Sequence, residues 1–312
     1  QTKMTNVYIT ACGKKDGLGS QVSSKILALL FCKKHNYKYF HTPLQILDYI
    51  YKGEIQDLSA FKEFNKGNGN DWVNGWENML NIHPNKYNNL KFDKIIDITN
   101  VLKTGQIKME NNYLWHDFDP QKVINSYNLS DYNNVLFLIK EFPKLDNYSK
   151  EFCEPVFNIL RNNYSLTPKP ELLFNKDNFN IVFHKRHTGP YTLTKNTNLN
   201  AENNRVTLNT YYIDIMKKLY KKYNNKNIEF WIFSDGDQRY FPEYSFLTNN
   251  KAKIKNCDDF DINMMMKTNS KEAFHHFVNA DILVIDKSSF GYTAGIYNTN
   301  TIVYNPYWDK KY

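Results

Sequence analysis

The sequence has few of the residues that define several classes of protein. Among its 312 residues are four cysteines, Cys12, Cys32, Cys153 and Cys257, with no CxxC pair. This spacing fits neither a zinc site nor a disulfide framework. We therefore expect reduced thiols and a cytoplasmic protein.

Long apolar stretches and blocks of like charge are also missing. No segment approaches the roughly 20 apolar residues that cross a membrane, and the N-terminus lacks the charged and apolar regions of a signal peptide. The formal net charge is +8, but the lysines are mixed with acidic residues. The mixed charges indicate a solvated surface, with nucleic-acid binding as a minor alternative. The absence of a long apolar segment predicts no membrane span.

Arginine and metal-binding motifs are rare as well. The basic residues are lysines apart from Arg161, Arg186, Arg205 and Arg239. In so lysine-rich a chain, an arginine indicates a need for its planar, bidentate guanidinium. No HExxH motif, DxD metal pair or Ser-His-Asp order stands out, so we expect no metal ion and no cofactor.

Short apolar strands alternate with helical segments in both halves of the chain. The predicted strands are Val7–Ala11, Tyr37–His41, Val135–Ile139, Asn180–His184, Ile228–Phe233, Lys253–Lys255, Ile282–Ile285 and Thr301–Tyr304. One predicted helix follows Ser20, which serves as its cap. Three others span Leu208–Tyr220, Lys271–Asn279 and Ser289–Tyr297. Two prolines in Leu166–Pro170 predict a hinge. The alternation favours an α/β protein of two Rossmann-like domains that face each other across a cleft, residues 1–168 and 169–312.

Polar residues and glycines follow these strands, where ligands bind to open parallel sheets. Asp16 and the turn Gly17–Gln21 come after the first strand. Glycine lets a backbone approach a ligand closely, although a tight β–α turn explains this segment equally well. Arg186 follows the first strand of the second half, where a guanidinium can hold a diphosphate or join a surface ion pair.

Two further segments have weaker signals. Ser234, Asp235 and Gly236 end another strand, and can recognise a base or ribose or form a capped turn. Asp259 lies in an acidic loop that suits a nucleotide contact or a solvated loop better than a metal site.

The sharpest signal is a strand that runs directly into Ser288, Ser289 and Phe290. Hydroxyl and N–H groups at a helix N-terminus form an anion site suited to phosphate. A capping role explains one serine but not both.

These segments resemble the fucosyltransferase-like GT-B glycosyltransferases, which include α-1,2-, α-1,6- and protein O-fucosyltransferases. The matches are the Gly17–Gln21 turn, the His184–Arg186 motif and the Ala280–Phe290 segment, in that order along the chain. The Asn- and Lys-rich composition is also similar to that of glycosyltransferases from large DNA viruses.

The resemblance implies a role for each candidate residue. Arg186 would bind the donor β-phosphate, Ser288 and Ser289 would hold the phosphates, and His184 would lie near the base or phosphates. The N-terminal domain would bind the acceptor, with the turn at Gly17, Leu18, Gly19 and Gln21 facing it or the phosphates. Asp16 is the candidate catalytic base.

The implied activity is inverting, metal-independent transfer of a sugar from a nucleotide-diphosphate donor, GDP-fucose by preference, to a hydroxyl of a glycan or glycoprotein acceptor. His187 and Thr188 stand where the family usually carries Arg or Asp. Another donor, such as UDP-xylose, therefore stays open, as does a non-catalytic sugar- or nucleotide-binding module.

Overall fold

The computed structural model describes residues 5–46, 50–51, 54–55, 69–83, 89–99, 119–186 and 207–304. The chain divides into two compact units, residues 1–48 with 73–167 and residues 49–72 with 168–312. The break between Thr167 and Pro168 lies inside the segment predicted to be a hinge.

The described helices and strands alternate along most of the chain. Up to residue 165 they are β1 (Asn6–Ala11), α1 (Leu18–His35), β2 (Lys38–Tyr39), β3 (Ile50–Tyr51), β4 (Glu54–Ile55), α2 (Asn70–Leu80), β5 (Lys94–Asp97), α3 (Pro120–Asn125), β6 (Asn134–Ile139) and α4 (Lys150–Ser165). The remainder are β7 (Phe179–Lys185), α5 (Asn209–Lys222), β8 (Ile228–Ser234), β9 (Tyr244–Phe246), β10 (Lys251–Ile254), β11 (Ile262–Met266), α6 (Ser270–Asn279), β12 (Ile282–Ile285), α7 (Ser289–Tyr297) and β13 (Thr301–Tyr304).

The first unit contains a parallel sheet of strand order β2-β1-β6-β5. Its inner strands are short apolar runs whose side chains Ile9, Val135 and Phe137 are fully buried. Such runs are typical of parallel strands that are covered on both faces. The helix after β1 ends at Asn36, whose φ of 56° and N–H bond to the Cys32 carbonyl form a left-handed cap.

The second unit contains a seven-stranded sheet of order β13-β12-β7-β8-β11-β10-β9. The strands from β13 to β11 run parallel, whereas β10 pairs antiparallel with both β11 and β9 at one edge. Met264–Met266 forms the end of strand β11. The predicted α/β class with parallel sheets is confirmed.

Each unit has its own apolar core. In the first, Ile9, Phe31 and Phe137 are among the buried side chains, and in the second, Phe183 and Phe230 are. None of the described helices combines the length and the apolar character of a membrane span.

A buried histidine fastens the start of the second unit to α6. Nε2 of His276 accepts the Leu173 N–H at 3.0 Å, and Nδ1 lies 2.7 Å from the Glu272 carbonyl, to which it donates. The Phe174 ring packs edge-on against the imidazole at 4.9 Å. Burial disfavours the charged ring and lowers the pKa of His276, although Glu272 opposes the shift. Only the neutral ring can accept and donate in this way.

This arrangement predicts an acid-sensitive contribution to stability. A histidine whose pKa is lower in the folded than in the unfolded state stabilises the fold above its ordinary pKa, near 6.5. That stabilisation is lost as the pH falls from there toward the folded value. We expect the melting temperature to fall between pH 7.5 and pH 5.0, and to fall less in His276→Gln. Equal falls in both proteins, measured by circular dichroism, would contradict this role.

Candidate functional site

The carboxyl ends of three neighbouring strands meet at one edge of the second sheet. β7 pairs with both β8 and β12, so that Lys185 is aligned with Ser234 and Phe183 with Val284. The chain passes from β7 to β8 on one side and reaches β12 on the other side only later. In open α/β sheets such a change of direction leaves a ligand-binding crevice beyond the carboxyl ends. The turns that follow these strands therefore form the candidate site.

One carboxylate joins two of these turns. Asp286 follows β12 and is 0% exposed. Its Oδ2 accepts the main-chain N–H of Arg186 at 2.9 Å. Its Oδ1 accepts the Thr207 hydroxyl at 2.6 Å and the Lys287 N–H at 2.8 Å. The half-buried Arg186 is thereby held beside the start of α7.

The two serines at the start of α7 differ in their surroundings. Ser288 is buried, and its hydroxyl accepts the Phe290 N–H at 3.3 Å as the helix cap. Ser289 is the first helical residue and is partly exposed, as is Phe290. The Ser289 carbonyl accepts the Thr293 hydroxyl at 2.8 Å. Ser288 therefore shapes the helix end, while the hydroxyl of Ser289 lies where the positive end of the helix dipole favours an anion.

His184 lies beneath this helix end. Its ring packs against Phe277, with centroids 5.1 Å apart, and against Phe290 at 5.8 Å. Burial lowers the pKa of His184 to about 4. Among the residues that the structure describes, none hydrogen-bonds to its buried Nδ1. The ring is thus neutral at ordinary pH and supports the first turn of α7, and it presents no charge to a ligand.

Lys185 at the end of β7 was not among the predicted site residues. This lysine is 2% exposed, and its ammonium donates to the Thr207 carbonyl and lies 5.1 Å from the centre of the Tyr212 ring. Burial lowers the pKa of Lys185, while the nearby carboxylates of Asp286, Asp235 and Glu243 oppose that shift. Its place inside the His184–Arg186 motif was the available signal.

The turn after β8 is closed by its own hydrogen bonds. The Ser234 hydroxyl accepts the Gly236 N–H at 3.0 Å, and the Ser234 carbonyl accepts the Lys267 N–H at 2.8 Å. Ser234 and Gly236 are buried, while Asp235 is partly exposed. Of the three predicted residues here, Asp235 presents the most surface to a ligand.

The structure does not bring Asp259 to this edge. It lies exposed in the loop from β10 to β11. β11 runs parallel to β8, so the residues before it lie at the amino ends of the parallel strands. Asp259 therefore lies at the opposite edge of the sheet, and the prediction that it contacts the donor with the other residues is corrected.

In the first unit, the glycine turn is held by a buried glutamine. Nε2 of Gln21 donates to the Asp16 carbonyl at 2.9 Å and to the Gln45 carbonyl at 3.0 Å, while its Oε1 accepts the Gln45 N–H at 2.7 Å. Gln21 thus ties two loops together. The Asp16 residue is exposed.

The predicted cap of the first helix is wrong. The helix begins at Leu18 and has Gly17 at its cap position, with no side-chain cap bond. Ser20 lies inside the first turn, where its N–H reaches the Gly17 carbonyl. Leu18 and Gly19 are buried, so this part of the turn packs against the unit.

A small polar cavity lies beside this turn. Cys12, Lys14, Gln21, Ser24, Lys25 and Gln45 are among its lining residues. Lys25, which the sequence analysis did not select, is 3% exposed and donates to the carbonyls of Ala11 and Thr42. Burial lowers the pKa of Lys25 to about 8, with Glu77 opposing the shift.

The other arginines fall in different places. Arg161 pairs with Glu154 at 2.6 Å on α4, and Arg239 pairs with Asp237 at 2.6 Å. Arg205, together with His187 and Thr188, lies outside the described residues. Within the described residues, no group of three or more His, Cys, Asp or Glu side chains is placed to hold a metal ion.

Comparison with known proteins gives a structural likeness without sequence similarity. No family model matches the chain, and no curated protein matches it. A crystal structure of POFUT1 in complex with GDP has 10% sequence identity and a TM-score of 0.46, covering 97% of this chain and 99% of that one. A complex of POFUT1 with GDP-fucose has 10% identity and a TM-score of 0.42, covering 97% and 98%. At these values the likeness assigns no residue a role.

The close approach of α7 to His184 predicts that two glycines of one helix respond differently. A Cβ on Gly291 would lie 2.5 Å from His184 Nδ1 and 2.6 Å from Ile285 Cγ2. A Cβ on Gly295 would lie 3.0 Å from Cδ1, the flexible end of Ile285. We expect Gly291→Ala to lower the free energy of unfolding by about 1–3 kcal/mol.

Gly295→Ala is the matched control. Alanine gains about 1 kcal/mol over glycine in a helix, so we expect this variant to stay within about 1 kcal/mol of the wild type. Urea unfolding of the three proteins measures the difference. Equal losses from the two substitutions would show that the His184 contact does not limit position 291.

Proposed function

We propose that the chain is an inverting, metal-independent glycosyltransferase. It moves a sugar from a nucleotide-diphosphate donor, GDP-fucose by preference, to a hydroxyl of a glycan acceptor. The preference for GDP-fucose rests on the sequence resemblance of the turn, the His-x-Arg motif and the serine segment.

One observation carries the proposal. Arg186 and the start of α7 belong to different turns, and the hydrogen bonds of Asp286 hold them together. A guanidinium binds phosphate oxygens in bidentate fashion, and a helix N-terminus favours a second anionic group. Two adjacent anion-binding elements suit the two linked phosphates of a nucleotide sugar.

The same elements account for the chemistry. The acceptor oxygen attacks the anomeric carbon as the bond from that carbon to the β-phosphate oxygen breaks, and the electron pair leaves with the diphosphate. Arg186 and the helix end stabilise the negative charge that develops there. Holding donor and acceptor together makes the attack effectively intramolecular.

The acceptor hydroxyl must also lose a proton. Asp16 remains our candidate base, because its residue is exposed on the loop after β1. General base catalysis of this kind contributes about a hundredfold or more to the rate.

A ligand panel tests the function directly. A nucleotide at about 100 times its dissociation constant stabilises the folded protein by about 2.7 kcal/mol. We expect GDP and GDP-fucose to raise the melting temperature, with or without EDTA, and UDP and UDP-sugars to have a smaller effect. A response to UDP-xylose alone would assign the other donor, and binding without turnover or donor hydrolysis would indicate a binding module.

Substitution of Arg186 makes that test specific. Arg186→Ala removes the guanidinium, so we expect loss of both the GDP shift and sugar transfer at nearly unchanged melting temperature. Arg161→Ala removes an arginine that already pairs with Glu154, and it serves as the charge-matched control. Retained transfer in Arg186→Ala would exclude the proposed role.

A nucleic-acid-binding protein is the alternative. Binding of nucleic acid at low salt that is lost steeply as the salt concentration rises would favour it.

The serine pair separates helix capping from ligand binding. We expect Ser288→Ala to lower the free energy of unfolding by about 1 kcal/mol, because it removes the cap. Ser289→Ala leaves the cap in place, so we expect weaker GDP binding at unchanged stability. Calorimetric titration with GDP and urea unfolding of both variants measure the two effects. The assignment fails if Ser289→Ala binds GDP as tightly as the wild type.

A further inference from the structure

The segments that surround the candidate site converge on one buried carboxylate. Asp286 accepts hydrogen bonds from Arg186 at the end of β7, from Thr207 before α5 and from Lys287 before α7. We propose that Asp286 is a positioning residue for the donor, which sets where the Arg186 guanidinium stands relative to the start of α7. This inference rests on the proposed function.

A carboxylate suits this position because its three partners are all donors. An ionised aspartate offers two acceptor oxygens, whereas asparagine offers one oxygen and an NH₂ group. Asp286→Asn keeps the size of the side chain but replaces one acceptor oxygen with an NH₂ group. At least one of the three donors then loses its acceptor. The main-chain N–H of Arg186 bonds to Oδ2 alone, while the other two share Oδ1. With the amide oxygen kept toward that pair, the substitution releases Arg186.

The buried charge also has a nearby cation. The Lys185 ammonium donates to the carbonyl of Thr207, the same residue whose hydroxyl bonds to Asp286. A buried carboxylate near bound phosphates would otherwise repel them. With Lys185 beside it, Asp286 can orient the site without making the site negative.

The opposite end of the same strand pair supplies a matched control. Asp281 precedes β12, and its Oδ2 accepts the main-chain N–H of Asn180 on β7 at 2.7 Å. Both aspartates therefore tie β12 to β7 through a main-chain N–H. Asp286 does so at the carboxyl edge that carries the candidate site, and Asp281 does so at the amino edge.

The experiment compares Asp286→Asn with Asp281→Asn. The measurements are the dissociation constant for GDP, kcat/KM for the donor and the melting temperature. We expect both variants to melt earlier than the wild type. Because a displacement of about 1 Å costs about a hundredfold in rate, we expect Asp286→Asn to lose about a hundredfold in kcat/KM and at least tenfold in GDP affinity. Asp281→Asn should stay within about twofold of the wild type at a temperature where both variants are folded.

Thr207 provides a second test that does not require Asp286→Asn to fold. Thr207→Val removes one of the three bonds to Asp286, so we expect GDP affinity to fall several-fold. Thr207→Ser keeps the hydroxyl, so we expect its GDP affinity to match that of the wild type.

The outcomes separate this inference from the function on which it rests. Equal GDP affinity in Asp286→Asn and Asp281→Asn, or in Thr207→Val and Thr207→Ser, overturns the positioning role alone. A wild type that binds neither GDP nor UDP overturns the proposed function, and the inference with it.

Discussion

An ionised carboxylate in a protein interior is costly unless hydrogen bonds satisfy its oxygens. Asp286 meets that requirement with partners from three separate parts of the chain, which are Arg186, Thr207 and Lys287. The fold must bring these donors to the carboxylate, and the carboxylate then fixes how the three segments stand relative to one another. Features around it follow from that constraint, including the buried Lys185 and the placement of α7.

Much of the fold could be predicted from the sequence because parallel strands are buried on both faces. The apolar runs at β1, β6, β7, β8 and β12 are short and alternate with helical segments, which is typical of buried parallel strands. The short antiparallel strand β9 and the methionine-containing strand β11 were not predicted. Both depend on neighbouring strands for their pairing, and methionine carries little strand preference of its own.

The candidate site could be predicted only where local order decides position. Arg186 and the two serines could be placed at the carboxyl edge of the sheet because each closely follows a buried strand. Asp259 was misplaced because its edge depends on the antiparallel course of β10, which is a long-range property. Lys185 and Lys25 were missed because a lysine in a lysine-rich chain is expected at the surface, and only the packed structure reveals its burial.

The contact between α7 and His184 has a consequence for how this protein can change over evolutionary time. A Cβ at position 291 would lie 2.5 Å from the His184 imidazole and 2.6 Å from Ile285, so even alanine there costs stability. The two positions therefore do not drift independently: a larger residue at 291 costs less once residue 184 has become smaller and Ile285 can shift. Divergent copies of this sequence should accordingly keep the glycine and the histidine together or exchange both. The pair would then trace common descent of the site in chains whose overall sequence similarity has disappeared.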